Sequence, residues 1–235
     1  MTTQPSGYIT AIVPAAGVGS RMKAGKPKQY LTIGQSTILE HTVNKLLSHP
    51  AVSQVVIAIT DGDPYFPELA IAQHPDVVQV SGGKERADSV VSALEYVVEN
   101  QLSDWVLVHD AARPCVSHQD ISQLIESVEQ SDCCGGILAA PVRDTMKRSN
   151  HNNQIEQTLD RSAMWHALTP QMFPAVELRK LLTAALDKQV TITDEASAFE
   201  WAGFSPLLVA GRADNIKVTQ PEDLDLATFY LQRNI

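Results

Sequence analysis

No stretch of this chain is apolar for the roughly 20 residues that a helix needs to cross a bilayer. Residues 1–7 are polar and uncharged, without the basic and apolar regions of a secretory signal. No membrane contact and no export are therefore expected, and a cytoplasmic location is. Cysteine is scarce, with 3 in 235 residues, and two of those are adjacent at Cys133 and Cys134. That spacing supports neither a disulfide framework nor a CxxC zinc motif, and the 7 histidines are scattered. Inert thiols in a reducing compartment fit better. Positive charge is also short, with 18 Lys and Arg against 27 Asp and Glu, a net −9. A nucleic-acid binder carries a basic face, so none is expected. A small anionic ligand stays open if the few cations converge in one cleft.

What the chain does have is an ordinary globular composition, 44% hydrophobic and 19% charged, with no internal repeat. Apolar, β-branched runs at 8–13, 55–60, 77–80, 105–109 and 136–142 alternate with helical patterns at 38–49, 86–99 and 118–130. That alternation predicts an α/β fold with a mostly parallel sheet covered on both faces. Residues 143–161 break the rhythm. They are polar, hold Asn150, Asn152 and Asn153, and alternate weakly on either side, which predicts a hairpin or arm leaving the core. The expected organisation is a core of 1–142 and 162–235 with an arm of 143–161. Helices are predicted at 175–187 and 194–202, the second with Thr193 as N-cap. Strands follow at 207–209 and 215–218. A last helix starts near Pro221, behind a Thr219–Glu222 capping box.

Four segments concentrate chemistry. Pro14–Ala15–Ala16–Gly17–Val18–Gly19–Ser20–Arg21 follows the first strand, with Lys28 shortly after. Small residues let the backbone approach phosphates, and Arg21 and Lys28 add charge, although a plain glycine turn would look the same. It is not the dinucleotide fingerprint, because Met22 stands where the third glycine belongs, and it lacks the Gly-Lys-Ser/Thr ending of a Walker loop. His109–Asp110–Ala111–Ala112–Arg113 closes a buried strand, where open α/β sheets bind ligands. A carboxylate there can hold Mg²⁺ against phosphate oxygens. Gly82–Gly83–Lys84 with Ser89 offers groups for reading a base edge, and Asp214–Asn215–Ile216–Lys217 ends a strand with one lysine.

In this order and spacing, PAAGVGSRM, KPKQYL, GGKERADSV, VLVHDAARP, APVRDTMK, WHALTPQ, ITDEASAFE and DNIKVTQPEDL resemble the 2-C-methyl-D-erythritol 4-phosphate cytidylyltransferase family across nearly the whole chain. The resemblance implies a Rossmann-like nucleotidyltransferase domain with a protruding β-arm that clasps a partner in a homodimer. It implies that Ala15, Ala16 and Gly17 cradle CTP phosphates through their amides, and that Arg21, Lys28 and Lys217 are catalytic cations. Gly83, Lys84 (through its backbone) and Ser89 would recognise cytosine, with Ala111 near the ribose and Asp110 on Mg²⁺. Arg113, Thr145, Arg161, Thr169, Thr193 and Lys217 would hold methylerythritol phosphate, Thr145 and Arg161 serving the neighbouring subunit from the arm. Some members carry a fused cyclase; the sequence ends at Ile235, and no such domain is expected in this chain.

The implied reaction is attack by a phosphate-monoester oxygen on the α-phosphorus of CTP, with loss of pyrophosphate. Such a nucleophile is already ionised and needs no general base, in keeping with the lack of a Ser/His/Asp or Cys/His arrangement. Three rivals stand beside it: a ribitol-5-phosphate cytidylyltransferase, a nicotinamide-dependent oxidoreductase using Asp61 on the ribose, and a binding protein that lost the chemistry. The unbroken WHALTPQ and DEASAFE segments favour methylerythritol phosphate over ribitol phosphate.

Overall fold

The computed structural model describes residues 8–17 and 25–233. Its centre is a seven-stranded sheet. In chain order these strands are β1 (Ile9–Pro14), β4 (Val52–Ile59), β5 (Val77–Ser81), β6 (Trp105–Val108), β7 (Gly136–Pro141), β10 (Trp165–Pro174) and β11 (Leu207–Ala210). Two-stranded sheets are made by β2 (Thr32–Ile33) with β3 (Ser36–Thr37), and by β8 (Met146–Ser149) with β9 (Ile155–Leu159). The spatial order is β11-β7-β10-β6-β1-β4-β5. β10 runs antiparallel to β6 and β7, and the other pairings are parallel. The sheet is mostly parallel, as its near-continuous apolar strands require: β6 is buried along its length.

Helices cover both faces. α1 (Ile38–Leu47) and α3 (His118–Glu129) place Leu39, Val43, Leu46, Ile121, Leu124 and Val128 against one side. On the other lie α2 (Arg86–Glu99), α4 (Ala175–Asp187) and α5 (Glu195–Trp201), with Val90, Leu94, Leu178, Leu182 and Phe199 in the second core. Phe173 stacks on Phe199 at 4.3 Å and ties β10 to α5. Helix starts follow capping chemistry. Thr37 and Glu40 close a capping box on α1, and Ser117 caps α3. α6 (Pro221–Arg233) packs over a third cluster of Ile33, Ile38, Cys115, Val218 and Ala227.

Four sequence expectations are corrected. β10 was not foreseen: its alternation is broken by a register shift between Ala167 and Gln171, and Pro170 removes a ladder donor inside it. Residues 215–218 form no sheet strand; the Val218 amide donates instead to Ala112 O at 2.8 Å. The N-cap of α5 is Asp194, whose carboxylate accepts the Ser197 amide, and not Thr193. The start of α6 is held by Asp223, not Glu222. Its Oδ2 accepts from the Thr219 amide, the Thr219 hydroxyl and the Gln220 amide at 2.8–2.9 Å.

The connections explain where a crevice must form. The chain passes from β1 through α1 to β4 on one side, then returns from β5 through α2 to β6 on the other side of β1. The loops after β1 and β6 therefore diverge above adjacent strands, the switch point at which open α/β sheets bind ligands.

Candidate active site

The cleft at that switch point has a volume of about 450 Å³. Its walls are residues 14–17 after β1, 83–86 after β5 and 110–112 after β6, with Lys28, Ser89, Lys217 and Thr219. Four cations line it (Lys28, Lys84, Arg86, Lys217) against two carboxylates (Glu85, Asp110), an excess of two positive charges in an acidic chain. Local concentration of cations like this draws in a polyanion. No histidine, cysteine or tyrosine is among those lining residues.

Asp110 is the electrostatic centre. Its Oδ1 accepts from Arg86 Nε at 2.9 Å, and its Oδ2 meets Lys217 Nζ at 2.8 Å and Arg113 Nε at 3.4 Å. Burial alone would raise its pKa, but the charges of Arg86, Lys217 and Arg113 outweigh burial and hold the carboxyl well below the usual carboxylate range. Arg86 also makes a bidentate pair with Glu195, at 2.6 and 3.0 Å. Burial opposes the charge on Arg86, yet Glu195 and Asp110 prevail and raise its pKa. Gln171 sets the position of Glu195: its Nε2 donates to Asp194 Oδ2 at 2.9 Å and its Oε1 accepts the Ala196 amide at 3.0 Å.

Beneath Asp110 lies a buried polar chain. The Asp110 amide donates to Thr169 Oγ1 at 3.0 Å, Thr169 Oγ1 lies 2.9 Å from His109 Nδ1, and His109 Nε2 lies 3.0 Å from Arg113 O. Arg113 extends it, donating to Asn215 O at 2.6 Å, while the Asn215 amide group donates to Thr169 O at 2.8 Å. Across the cleft, Lys28 Nζ donates to Val218 O at 2.9 Å, and Gln29 Nε2 donates to the carbonyls of Ala15 and Gly17 at 2.8 and 3.0 Å. The glycine turn after β5 is tight. A Cβ on Gly82 would stand 2.3 Å from Ala16 Cβ, and one on Gly83 would stand 2.2 Å from Asp88 Cβ. The Gly83 amide donates to Ser89 Oγ at 3.0 Å.

The expected residues divide accordingly. Ala15, Ala16, Gly17, Lys28, Gly83, Lys84, Ser89, Asp110, Ala111 and Lys217 all line the cleft. Ala15 does so without a usable amide, because its N–H donates to Ala58 O at 2.9 Å as a continuation of the sheet. Among the described residues no acceptor takes the Ala16 or Gly17 amide. Arg113 and Thr169 are buried under Asp110 and do not reach the lining. Thr145, Arg161 and Thr193 are exposed and outside the cleft of this chain. Arg21 lies outside the described residues. Sequence reasoning missed Arg86, Glu195, Gln171 and His109 as parts of the site. Arg86 and Glu195 lie within the GGKERADSV and ITDEASAFE segments, and nothing in their spacing joins positions 109 residues apart.

A divalent cation would find one carboxylate on the floor, Asp110. No cluster of three or more His, Cys, Asp or Glu is arranged for a metal among the described residues. Mg²⁺ beside a nucleotide is typically held by one or two carboxylates with phosphate oxygens and water. The donor set therefore fits a cation that arrives with a triphosphate, with half-exposed Lys217 the partner able to move aside.

A parallel-sheet switch point, a glycine turn and a cleft lined by four cations are the features of an α/β nucleotide-binding fold. Comparison with known proteins narrows this. The family model for 2-C-methyl-D-erythritol 4-phosphate cytidylyltransferase matches residues 9–233. The chain is 66% identical to the protein of that name from Vibrio cholerae, over 96% of this chain and 97% of the relative. With the one from Vibrio atlanticus it shares 65% identity over 100% and 99%. The crystal structure of the Francisella tularensis cytidylyltransferase superposes with a TM-score of 0.82 at 35% identity, covering 95% of this chain and 99% of that one. This chain belongs to the 2-C-methyl-D-erythritol 4-phosphate cytidylyltransferase family.

Proposed function

We propose that this protein transfers the cytidylyl group of CTP to 2-C-methyl-D-erythritol 4-phosphate, releasing pyrophosphate. The observation that carries the reading is the three-cation setting of Asp110 at the sheet's switch point, in a chain of this family. Two polyanions must be brought together, so positioning and charge stabilisation do the catalysis. The Ala16 and Gly17 amides and Lys28 face the triphosphate, and Gly83 with Ser89 presents backbone and hydroxyl groups to the base. Lys217 and Arg21 stabilise charge on the transferred phosphoryl group. Asp110 would hold a Mg²⁺ ion together with the phosphates, and such an ion would add neutralisation of the leaving pyrophosphate. Arg113 and Thr169 act by holding Asp110 in place.

The β8–β9 hairpin serves a partner subunit in a homodimer, bringing Thr145 and Arg161 to the neighbouring cleft and its methylerythritol phosphate, beside Thr193. Bared apolar side chains on and beside it support this, Ile155 at 69% and Trp165 at 37% exposure. The cytoplasm is the compartment that suits three unpaired thiols, and no described helix is long and apolar enough to cross a membrane.

The test is pyrophosphate release from Mg²⁺ and CTP with either methylerythritol phosphate or ribitol 5-phosphate, with Arg21→Ala as control. Release with the first alone, much reduced in the variant, is expected; release with ribitol phosphate alone overturns the substrate. Mixing inactive Asp110→Asn and Arg161→Ala proteins tests the arm. Shared sites predict recovery of about a quarter of wild-type activity, because half of the dimers are mixed and each mixed dimer has one intact site of its two.

A further inference from the structure

A second cavity, of about 790 Å³, is lined by α1, the start of α3 and α6. That volume is in the range of small-molecule sites. Its apolar wall is made by Ile33, Cys115, Val116 and Leu231. Its titratable lining residues are Lys45, His41, His118 and Cys115, with no carboxylate among the lining, in a chain whose acids outnumber its bases 27 to 18. Lys45 stands in the last turn of α1 and forms no ion pair among the described residues. Burial pushes the Cys115 thiol up to about 12 and Asp214 adds to the rise, while the nearby Lys45 charge opposes it. At the rim, His118 Nε2 lies 3.1 Å from Lys45 O and 2.9 Å from Ser48 Oγ, linking the start of α3 to the end of α1.

The floor is shared with the catalytic site. Ile33 and Cys115 belong to the same buried cluster as Val218 and Ala227. Val218 O accepts the Lys28 ammonium at 2.9 Å, and the Val218 amide donates to Ala112 O at 2.8 Å. Cys115 lies two residues beyond Arg113, which pairs with Asp110. A molecule pressing on Ile33 or Cys115 therefore presses on the reverse side of the segments that carry Lys28, Arg113 and Lys217.

We propose that this cavity is an effector site for a small amphipathic anion, apolar in body and acidic at one end, coupled to nucleotide binding through the Cys115–Val218 cluster. The anionic end would meet Lys45 and the body would lie on Ile33, Val116 and Leu231. Occupancy of the cavity is independent of the transfer reaction; the coupling rests on the proposed function.

The probe is 8-anilinonaphthalene-1-sulfonate, titrated into the whole protein by fluorescence and calorimetry, with neutral N-phenyl-1-naphthylamine as comparison. One sulfonate probe per chain is expected, bound more tightly than the neutral compound. Its Kd should rise about tenfold in Lys45→Glu, through loss of a charge-assisted contact, and in Asn44→Trp, which fills the mouth. Lys45→Gln provides a milder second variant, and Lys217→Ala, in the catalytic cleft, should leave the Kd unchanged. Equal affinity in wild type and the cavity variants, or loss only in Lys217→Ala, overturns the site. For the coupling, saturating probe and saturating CTP should shift each other's Kd by one common factor of about threefold or more, since linkage is reciprocal. Independent Kd values overturn it. A protein that binds no CTP even without probe refutes the proposed function and leaves the Lys45 result standing.

Discussion

His109 offers a quantitative test of how the site is supported. A carbonyl can only accept, so Nε2, 3.0 Å from Arg113 O, carries the ring hydrogen. Nδ1 is then an acceptor and receives the Thr169 hydroxyl at 2.9 Å, while Thr169 Oγ1 accepts the Asp110 amide at 3.0 Å. All three bonds run in one direction, and they require a neutral ring. Burial lowers the pKa of His109 from 6.5 to about 4; the Arg113 carbonyl and the Asp110 charge resist, and the Arg113 guanidinium adds to the lowering. With the folded pKa depressed, the stabilisation is whole above the unfolded pKa of 6.5 and is lost as pH falls toward 4. At 1.36 kcal/mol per unit, the full loss is about 3 kcal/mol, of which about 2 kcal/mol has gone by pH 5. Urea unfolding of wild type and His109→Gln at pH 7, 6.5, 6, 5.5 and 5 measures it. The substitution lowers stability at every pH, so the informative quantity is the slope. Wild type should lose about 2 kcal/mol more than the variant between pH 7 and 5. Parallel pH curves would show that His109 is not held neutral and that its hydrogen bonds do not run in this direction.

Other substitutions probe separate parts of the cleft. Glu195→Gln takes the bidentate charge from Arg86; because the Arg86 side chain is 28% exposed, the cost should fall below the range for fully buried pairs. About 2 kcal/mol is expected, a melting temperature lowered by roughly 4–8 °C, and an unchanged calorimetric transition would show the pair to be idle. Lys217→Ala should cut kcat on the order of a hundredfold with little effect on melting, since this lysine is 39% exposed. Turnover within a few-fold of wild type would remove Lys217 from the catalytic group. Gly82→Ala drives a methyl to 2.3 Å from Ala16 Cβ. It should cost about 1–3 kcal/mol and weaken CTP binding by calorimetry; native CTP affinity would mean that the two loops separate freely.

Much of this arrangement was legible in the residues. The helices at 86–99 and 175–187 were placed by apolar periodicity alone, because each shows one face to a core and the other to water. The cleft walls were legible only through four segments taken together in order, since any one alone reads equally as a plain glycine turn or a solvated cation. β10 was not, since a strand interrupted by proline and a register shift carries no clean period. Arg86 and Glu195 were hidden for a different reason. Their pairing depends on how α5 is set against α2 by Phe173, Phe199 and Gln171, which is tertiary packing with no local trace. Thr169 was picked out as a ligand contact, but the fold gives its hydroxyl to Asp110 and His109. Residue type alone does not separate a group that touches substrate from one that orients its neighbour.

The hairpin made by β8 and β9 leaves the core from β7 and returns through β10, and these two strands are direct neighbours, with Trp165 opposite Pro141 and His166 opposite Ala140. Both feet of the projection therefore stand on one rung of the central ladder. The ladder fixes where the two feet stand, and the hairpin's own residues determine its length. Lengthening or trimming between Ser149 and Ile155 would alter how far it extends without moving its feet.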